Sequence, residues 1–264
     1  MARMPRIFVI GQAGSIRTQS FFAHAKGLDF EAELSPAVIL TGECPWSEHY
    51  DHVSRLSTMG YGLNRGEVGC FLAHRKVWQK IVEGTDRVCL VLEDDARWVA
   101  SPDADIALAM DAIAGRTMLI RLLSQPRRSY RIWRQLSSSC SLYLPTRASD
   151  LSVAYLITQE AAARLLQASE RFIWPVDRFF NFGYLHGVDV LHLGPEKVRH
   201  EDTDSLIGKR TKPIASWTFR LKRECIRAIQ SVRVAWAYQQ TLGRLGLRLK
   251  PIWQPSVKET QAQK

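Results

Sequence analysis

Apolar residues along this chain fall into two kinds of block. Apolar-rich runs occur at residues 6–10, 37–40, 87–92, 117–122 and 151–158; 88–92 is uninterrupted, while Arg121 and Ser152 fall inside the last two. Runs of this length, rich in β-branched and bulky side chains, suit strands buried on both faces. Residues 20–27, 66–83, 104–114 and 160–169 read instead as helices. The clearest is 66–83, where Phe71, Trp78, Ile81 and Val82 form one apolar stripe with His74 at its margin. Thr158 is placed to cap the helix after it. Residues 45–62 carry two His, two Tyr and Trp46, and are read as irregular. Strands alternating with helices predict an α/β fold, a sheet with flanking helices.

Residues 124–150 interleave Arg127, Arg128, Arg131 and Arg134 with Tyr130 and Trp133. That pattern fits a hairpin with a basic outer face, or a surface for a sugar–phosphate acceptor.

Composition narrows the class. At 264 residues, 46% hydrophobic and 23% charged, the chain can bury a large core as a soluble globular protein. No apolar run approaches the roughly 18–20 residues of a membrane span, and residues 7–10 are too short for a signal-peptide core. A cytoplasmic protein is expected. Cys44, Cys70, Cys89, Cys140 and Cys225 contain no C-x-x-C pair, so neither a disulfide framework nor a zinc site is indicated. From Lys209 onward 13 Lys and Arg face two Glu, net +11, which leaves the first 208 residues at net −1. The expected division is therefore a main body, 1–208, and a basic tail, 209–264. A neutral body speaks against nucleic acid as partner.

The chemistry gathers where the 87–92 run ends in Glu93, Asp94 and Asp95. In open α/β sheets ligands bind beyond the carboxyl ends of strands, and three adjacent acids call for a cation among them. Mg²⁺ or Mn²⁺, taking oxygen ligands and sharing them with a phosphate, is the economical choice. The competing explanation is a solvated acidic turn. Gly11-Gln12-Ala13-Gly14 after the first strand lacks the Walker and dinucleotide spacings and is weak by itself. Arg17 is either a diphosphate partner or a solvated helix residue.

The run Gly66-Glu67-Val68-Gly69-Cys70-Phe71-Leu72-Ala73-His74, with Trp78 and then Leu92-Glu93-Asp94-Asp95-Ala96, resembles glycosyltransferase family 25. That family includes bacterial lipooligosaccharide galactosyltransferases and related domains of collagen-modifying enzymes. The Ala154-Tyr155-Leu156-Ile157-Thr158 strand, the helix after it and Trp174-Pro175-Val176-Asp177 resemble it too, for a likeness over about residues 5–208. The resemblance implies a GT-A-like, Rossmann-type nucleotide-sugar-binding sheet. It also implies transfer of a hexose, galactose favoured, from a UDP-sugar to a lipooligosaccharide or other surface-glycan hydroxyl, metal-assisted and with inversion. Asp95 and Asp94 would hold the metal, while Glu93 meets the ribose or positions the backbone. Glu67 is a donor-site candidate or simply complements a helix dipole. His74 is a site residue or a structural one. Asp177 is the candidate general base, against a helix-capping role, with Asp189 as alternative.

Two departures matter. Gly11-Gln12 stands where the family usually has an Asn-Leu-x-Arg segment, and Ser152-Val153 where Gly-Thr often precedes Ala-Tyr. After Gly194-Pro195, the stretch from Glu196 to His200 leads to Asp202, Asp204 and Ser205, which either close over the diphosphate or form a polar turn. A catalytically silent sugar-binding relative and a basic-tail adaptor are the competing functions; intact Asp94 and Asp95 argue against the first.

In the tail, Trp217, Leu221, Cys225, Ile229, Val232 and Trp236 step by three or four, with Arg220, Lys222, Arg223, Arg227 and Arg233 beside and opposite them. This is the pattern of an interfacial membrane helix, or of a helix packing its stripe on the body. The expectation for residues 209–250 is an anionic membrane surface, with the enzyme peripheral on the inner face and a lipid-linked oligosaccharide as acceptor.

Overall fold

The computed structural model describes residues 5–26, 32–44, 46–99, 104–123, 129–146, 150–201, 217–247 and 252–253. Arg127, Arg128, Asp202, Asp204 and Ser205 lie outside the described residues. The first half of the chain forms β1 (Arg6–Gly11), α1 (Ile16–Ala25), β2 (Ala32–Pro36), α2 (His52–Met59), α3 (Arg65–Glu83), β3 (Val88–Glu93) and β4 (Ala96–Trp98). Then come α4 (Ala104–Ile113), β5 (Met118–Arg121), β6 (Ser129–Gln135), β7 (Ser141–Pro145), β8 (Ala154–Thr158) and α5 (Gln159–Ala168). The chain continues through α6 (Val176–Phe179), α7 (Gly183–His186), β9 (Asp189–Gly194), β10 (Val198–His200), α8 (Trp217–Arg244) and β11 (Ile252–Trp253).

One nine-stranded sheet has the order β11-β6-β7-β9-β5-β8-β3-β1-β2. β1 pairs in parallel with β2 and β3, and β5 with β9. β8 runs against both of its neighbours, β3 and β5. Five strands thus share one direction around a single reversed one, and β7, β6 and β11 extend the sheet antiparallel. Helices flank this mixed sheet, in keeping with the Rossmann-like GT-A architecture.

The continuous apolar runs are explained by cover on both faces. Ile7, Val9, Leu90, Leu92 and Ile120 pack one way, toward Phe21 of α1 and Ile106 and Ile113 of α4. Phe8, Val91, Leu119 and Ile157 pack the other way, toward Phe71 and Trp78 of α3 and Leu165 of α5.

Two expectations need correction. Residues 37–40 are not a strand; β2 is the preceding Ala32–Pro36. This edge strand is half-buried and carries Glu33, paired with Arg6 at 2.7 Å and Lys80 at 2.8 Å, so it shows no apolar run. The apolar residues 37–40 instead lie over α3, where Gly69 leaves room: a Cβ there would stand 2.4 Å from the Val38 carbonyl oxygen. The 45–62 stretch is not wholly irregular, since it contains α2. Asp51 caps that helix by accepting from the Ser54 N–H at 2.9 Å, and Gly60 ends it at φ +78°. The 124–150 stretch forms the β6–β7 antiparallel pair, irregular between Ile132 and Arg134. Thr158 caps α5 as expected.

The apolar stripe read in the tail is not the face that packs. Trp217, Leu221, Cys225, Ile229, Val232 and Trp236 are all exposed. The body is met by Ile226, Val234, Tyr238, Leu242 and Leu245. Asp189 anchors the end of α8, accepting from Thr241 Oγ1 at 2.7 Å and Arg244 Nε at 3.1 Å. It opens β9, at the sheet edge opposite Glu93. That engagement makes it a tether and removes it as alternative base. Among the described residues no helix is long and apolar enough to cross a membrane.

His186 gives the fold an acid limit. Its Nε2 donates to the Phe179 carbonyl at 3.2 Å and its Nδ1 accepts from the Val188 N–H at 3.0 Å, so the ring is held neutral. Burial first of all lowers its pKa from 6.5 to about 4. The unfolded chain takes up this proton as pH falls through 6.5, before the folded chain does. The stability contribution is complete above about pH 6.5 and is lost toward pH 4. At ~1.4 kcal/mol per pH unit it amounts to roughly 3 kcal/mol. Urea unfolding of His186→Gln should therefore show a shallower loss between pH 7 and 4 than the native chain. Parallel curves would show that His186 does not set this limit.

Candidate active site

At the carboxyl end of β1 and β3 lies a cleft of about 540 Å³. Arg17, Glu67, Glu93, Asp94, Asp95 and Asp177 all line it, although they come from four separate parts of the chain. His74, the remaining residue singled out from the sequence, is fully buried and meets Glu93 with Nε2 3.3 Å from Oε1.

The cation called for by three adjacent acids is present, and it is a side chain. Ser15 caps α1 and sets Arg17 in its first turn. From there Arg17 Nε donates to Asp94, and its Nη2 lies 3.2 Å from Asp95 Oδ2. Thr18 Oγ1 donates to the other Asp94 oxygen at 2.6 Å. Both oxygens of Asp94 are thus engaged within the protein. Gly11 is what allows this: a Cβ there would sit 2.5 Å from Thr18 Oγ1 and 2.9 Å from Asp94 Oδ2. Burial opposes the Arg17 charge, but Asp95 and Asp94 outweigh it and raise its pKa.

Asp95 differs from its neighbour. Its Oδ2 meets Arg17 and, at 3.1 Å, His200 Nε2, while its buried Oδ1 has no hydrogen-bond partner among the described residues. Burial first, then Glu93, pushes its pKa up to about 6. His200 arrives because β10 pairs with β4, bringing it opposite Ala96. An unpartnered buried carboxylate oxygen fits a hard divalent ion, which can complete its shell with phosphate oxygens and water. The fit rests on Asp95; Asp94 serves chiefly to hold Arg17 and Thr18.

Glu93 is fixed from two sides. Ser152 Oγ donates to its Oε1 at 2.7 Å, and His74 approaches the same oxygen. Behind it, Trp78 Nε1 donates to the Tyr155 hydroxyl at 3.0 Å, which lies 2.8 Å from His74 Nδ1. Burial works against the Glu93 charge, but His74 and Ser152 more than compensate and lower its pKa. Cys70, His74 and Glu93 bring three metal-capable atoms within 4.8 Å of one another. Burial raises the Cys70 pKa well above its usual value, and both His74 nitrogens are occupied. That trio therefore acts as packing and hydrogen bonding around Glu93.

Glu67 serves α3 directly. Its Oε2 accepts from the Asn64 N–H at 3.0 Å while Asn64 Oδ1 accepts from the Glu67 N–H at 2.8 Å, a reciprocal cap. Asp177 sits in the first turn of α6, after Pro175, and one oxygen accepts from the Arg178 N–H at 2.7 Å. Burial above all raises its pKa.

The sequence reading missed Thr18 and assigned no role to Ser152 or His200. A hydroxyl in an ordinary helix turn carries no signal. Ser152 stood out as a departure from the family pattern, and the two three-residue strands that deliver His200 are too short to read.

The profile of "Glycosyltransferase family 25 (LPS biosynthesis protein)" matches residues 41–180, more than half of the chain. This chain belongs to glycosyltransferase family 25. It is 28% identical over 128 residues to procollagen galactosyltransferase 1 of Danio rerio, covering 47% of this chain and 21% of that one. It is 28% identical over 125 residues to procollagen galactosyltransferase 2 of Homo sapiens, covering 46% and 20%. It is also similar to a human protein named as an inactive family 25 member, at 29% over 123 residues, covering 46% and 20%. The match thus spans about a fifth of the length of these relatives.

Proposed function

We propose that this chain transfers a hexose, galactose favoured, from a UDP-sugar to a hydroxyl of a lipooligosaccharide or other surface glycan, with inversion. The observation that carries this reading is Asp95: a buried carboxylate with one oxygen unpartnered, beside Arg17, in a cleft that also holds Asp177. Mn²⁺ or Mg²⁺ on Asp95 would supply Lewis-acid neutralisation of the leaving diphosphate. Arg17, tied to Asp94 and Asp95, offers fixed positive charge to the same diphosphate. Glu93, held by Ser152 and His74, is rigid enough to orient a ribose hydroxyl. Asp177 accepts the proton of the attacking acceptor hydroxyl, and its raised basicity suits that task. Release of UDP from UDP-galactose should be faster with Mn²⁺ than with EDTA. Equal rates would leave Arg17 to face the diphosphate and remove the metal from the account.

The acceptor in this reading is lipid-linked and lies at the inner face of the membrane, where residues 209–250 dock. The exposed stripe of α8 supports this: Trp217 is 74% and Val232 70% exposed. Arg220, Lys222, Arg227 and Arg233 flank it, against the single acid Glu224. Each basic residue near an anionic surface contributes about 1 kcal/mol, less at high salt. The chain should co-sediment with phosphatidylglycerol vesicles, and Trp217→Ser combined with Trp236→Ser should reduce that binding at least ~10-fold. Undiminished binding by the double variant, or indifference to salt and anionic lipid, would contradict the docking.

A further inference from the structure

A second cavity, of about 800 Å³, opens between α8 and the sheet face formed by β7 and β9. Its volume falls within the range of about 300–1,000 Å³ that accommodates organic ligands. One wall is Thr146 with Val190 and His192; the opposite wall is Gln230, Ser231 and Tyr238 of α8. Asp150 borders both this groove and the cleft that holds Asp95 and Asp177. At the junction Asp150 accepts from Asn181 Nδ2 at 2.8 Å and from Arg178 Nη1 at 3.1 Å. Arg178 is the residue next to Asp177, so the groove reaches the neighbourhood of the proposed base through Asp150, while Asp177 itself lines the cleft.

We infer that this groove binds an oligosaccharide acceptor, with the reacting sugar at Asp177 and the preceding sugars lying under α8. This rests on the transferase reading above and extends it to the acceptor. Three observations support it. The groove meets the cleft on the side of Asp177, where an acceptor hydroxyl has to enter. Its polar groups are the mixed donors and acceptors that suit sugar hydroxyls: amides at Asn181, Gln230 and Gln239, a hydroxyl at Ser231, a carboxylate at Asp150 and a guanidinium at Arg178. Between them Phe182 and Tyr238 supply apolar ring surface. The wall is also stably placed, because Arg131 Nη1 donates to the Tyr238 hydroxyl at 2.5 Å and Asp189 anchors Thr241 and Arg244. α8 lies beyond residues 41–180, the part matched by the family profile, whereas Thr146, Asp150 and Arg178 lie within it, so the groove is shared between the two. The same helix would then present its outer stripe to the membrane and its inner side to the glycan.

The test fills the groove from either wall in the full chain. Ser231→Trp and Thr146→Trp are compared with Gln240→Ala, an exposed α8 position that does not line the groove, using deacylated lipooligosaccharide core as probe, saturation-transfer NMR for its binding and calorimetry for UDP. The expected result is core binding at least ~10-fold weaker in both Trp variants, with UDP affinity unchanged and Gln240→Ala like the native chain. Where transfer is measurable, acceptor KM should rise while donor KM holds. Core binding unchanged in both Trp variants, or no core binding by the native chain, overturns the groove and leaves the donor cleft standing. Loss of core binding in the Trp variants of a chain that binds no UDP supports the groove and instead overturns the transferase reading. A Trp variant that fails to fold is replaced by the one from the opposite wall.

Discussion

Asp95→Asn should lower hexose transfer by about 10²-fold or more while the protein stays folded. The substitution keeps the shape and the acceptor atom but removes the charge from a carboxylate whose Oδ1 is buried and unpartnered. Removal of one electrostatic group at a developing charge commonly costs ~10²–10³ in rate. Folding should not suffer, because burial and Glu93 already disfavour the Asp95 charge, raising its pKa to about 6. Asp94→Asn should also nearly abolish transfer, by a different route: it weakens the hold on Arg17 and Thr18. The two variants should part company in their metal response. Raising Mn²⁺ should recover part of the loss in Asp94→Asn and little in Asp95→Asn. Native turnover in either variant at limiting Mn²⁺ or Mg²⁺ would remove the acidic pair from catalysis.

Asp177→Asn should lower kcat by about 10²–10⁴-fold and leave UDP-sugar affinity nearly unchanged. An amide cannot take the acceptor proton, yet the Arg178 N–H still has an oxygen to bond, so α6 should keep its place. The same residue predicts the pH profile. Its pKa lies above that of an ordinary aspartate, so the acid limb of kcat should fall at higher pH than a solvated carboxylate would give. That limb should vanish in the variant. If donor affinity collapses while kcat holds, Asp177 belongs to the donor side and the base lies elsewhere.

Much of the site was legible because its parts sit where sequence patterns end. The uninterrupted run 88–92 marked a strand covered on both faces, and the acids after it had to fall at the sheet's carboxyl edge. What the run could not show was that Arg17, some 77 positions earlier, would be the cation between them. Long-range ion pairs leave no periodic trace. The same limit hid β2, whose half-buried edge position allows Glu33 in place of an apolar run. In the tail the spacing correctly marked a helix, and of its two readings the packing of that stripe on the body is the one that does not hold. Its inner contacts are mixed, with Thr241, Tyr238 and Arg244 joining Leu242 and Leu245, so the purer stripe was the exposed one. Helical spacing says that a face exists; only the surrounding chain says whether it is covered.

The most direct test of the account is transfer itself. The full chain is incubated with UDP-galactose, Mn²⁺ and a truncated lipooligosaccharide, beside a panel of other nucleotide sugars, and the acceptor mass is read. The account predicts that the acceptor gains one hexose with a UDP-sugar, that UDP is released in equal amount, and that Asp95→Asn abolishes both. An acceptor unchanged by every nucleotide sugar in the panel, or equal hexose gain with Asp95→Asn, would contradict it.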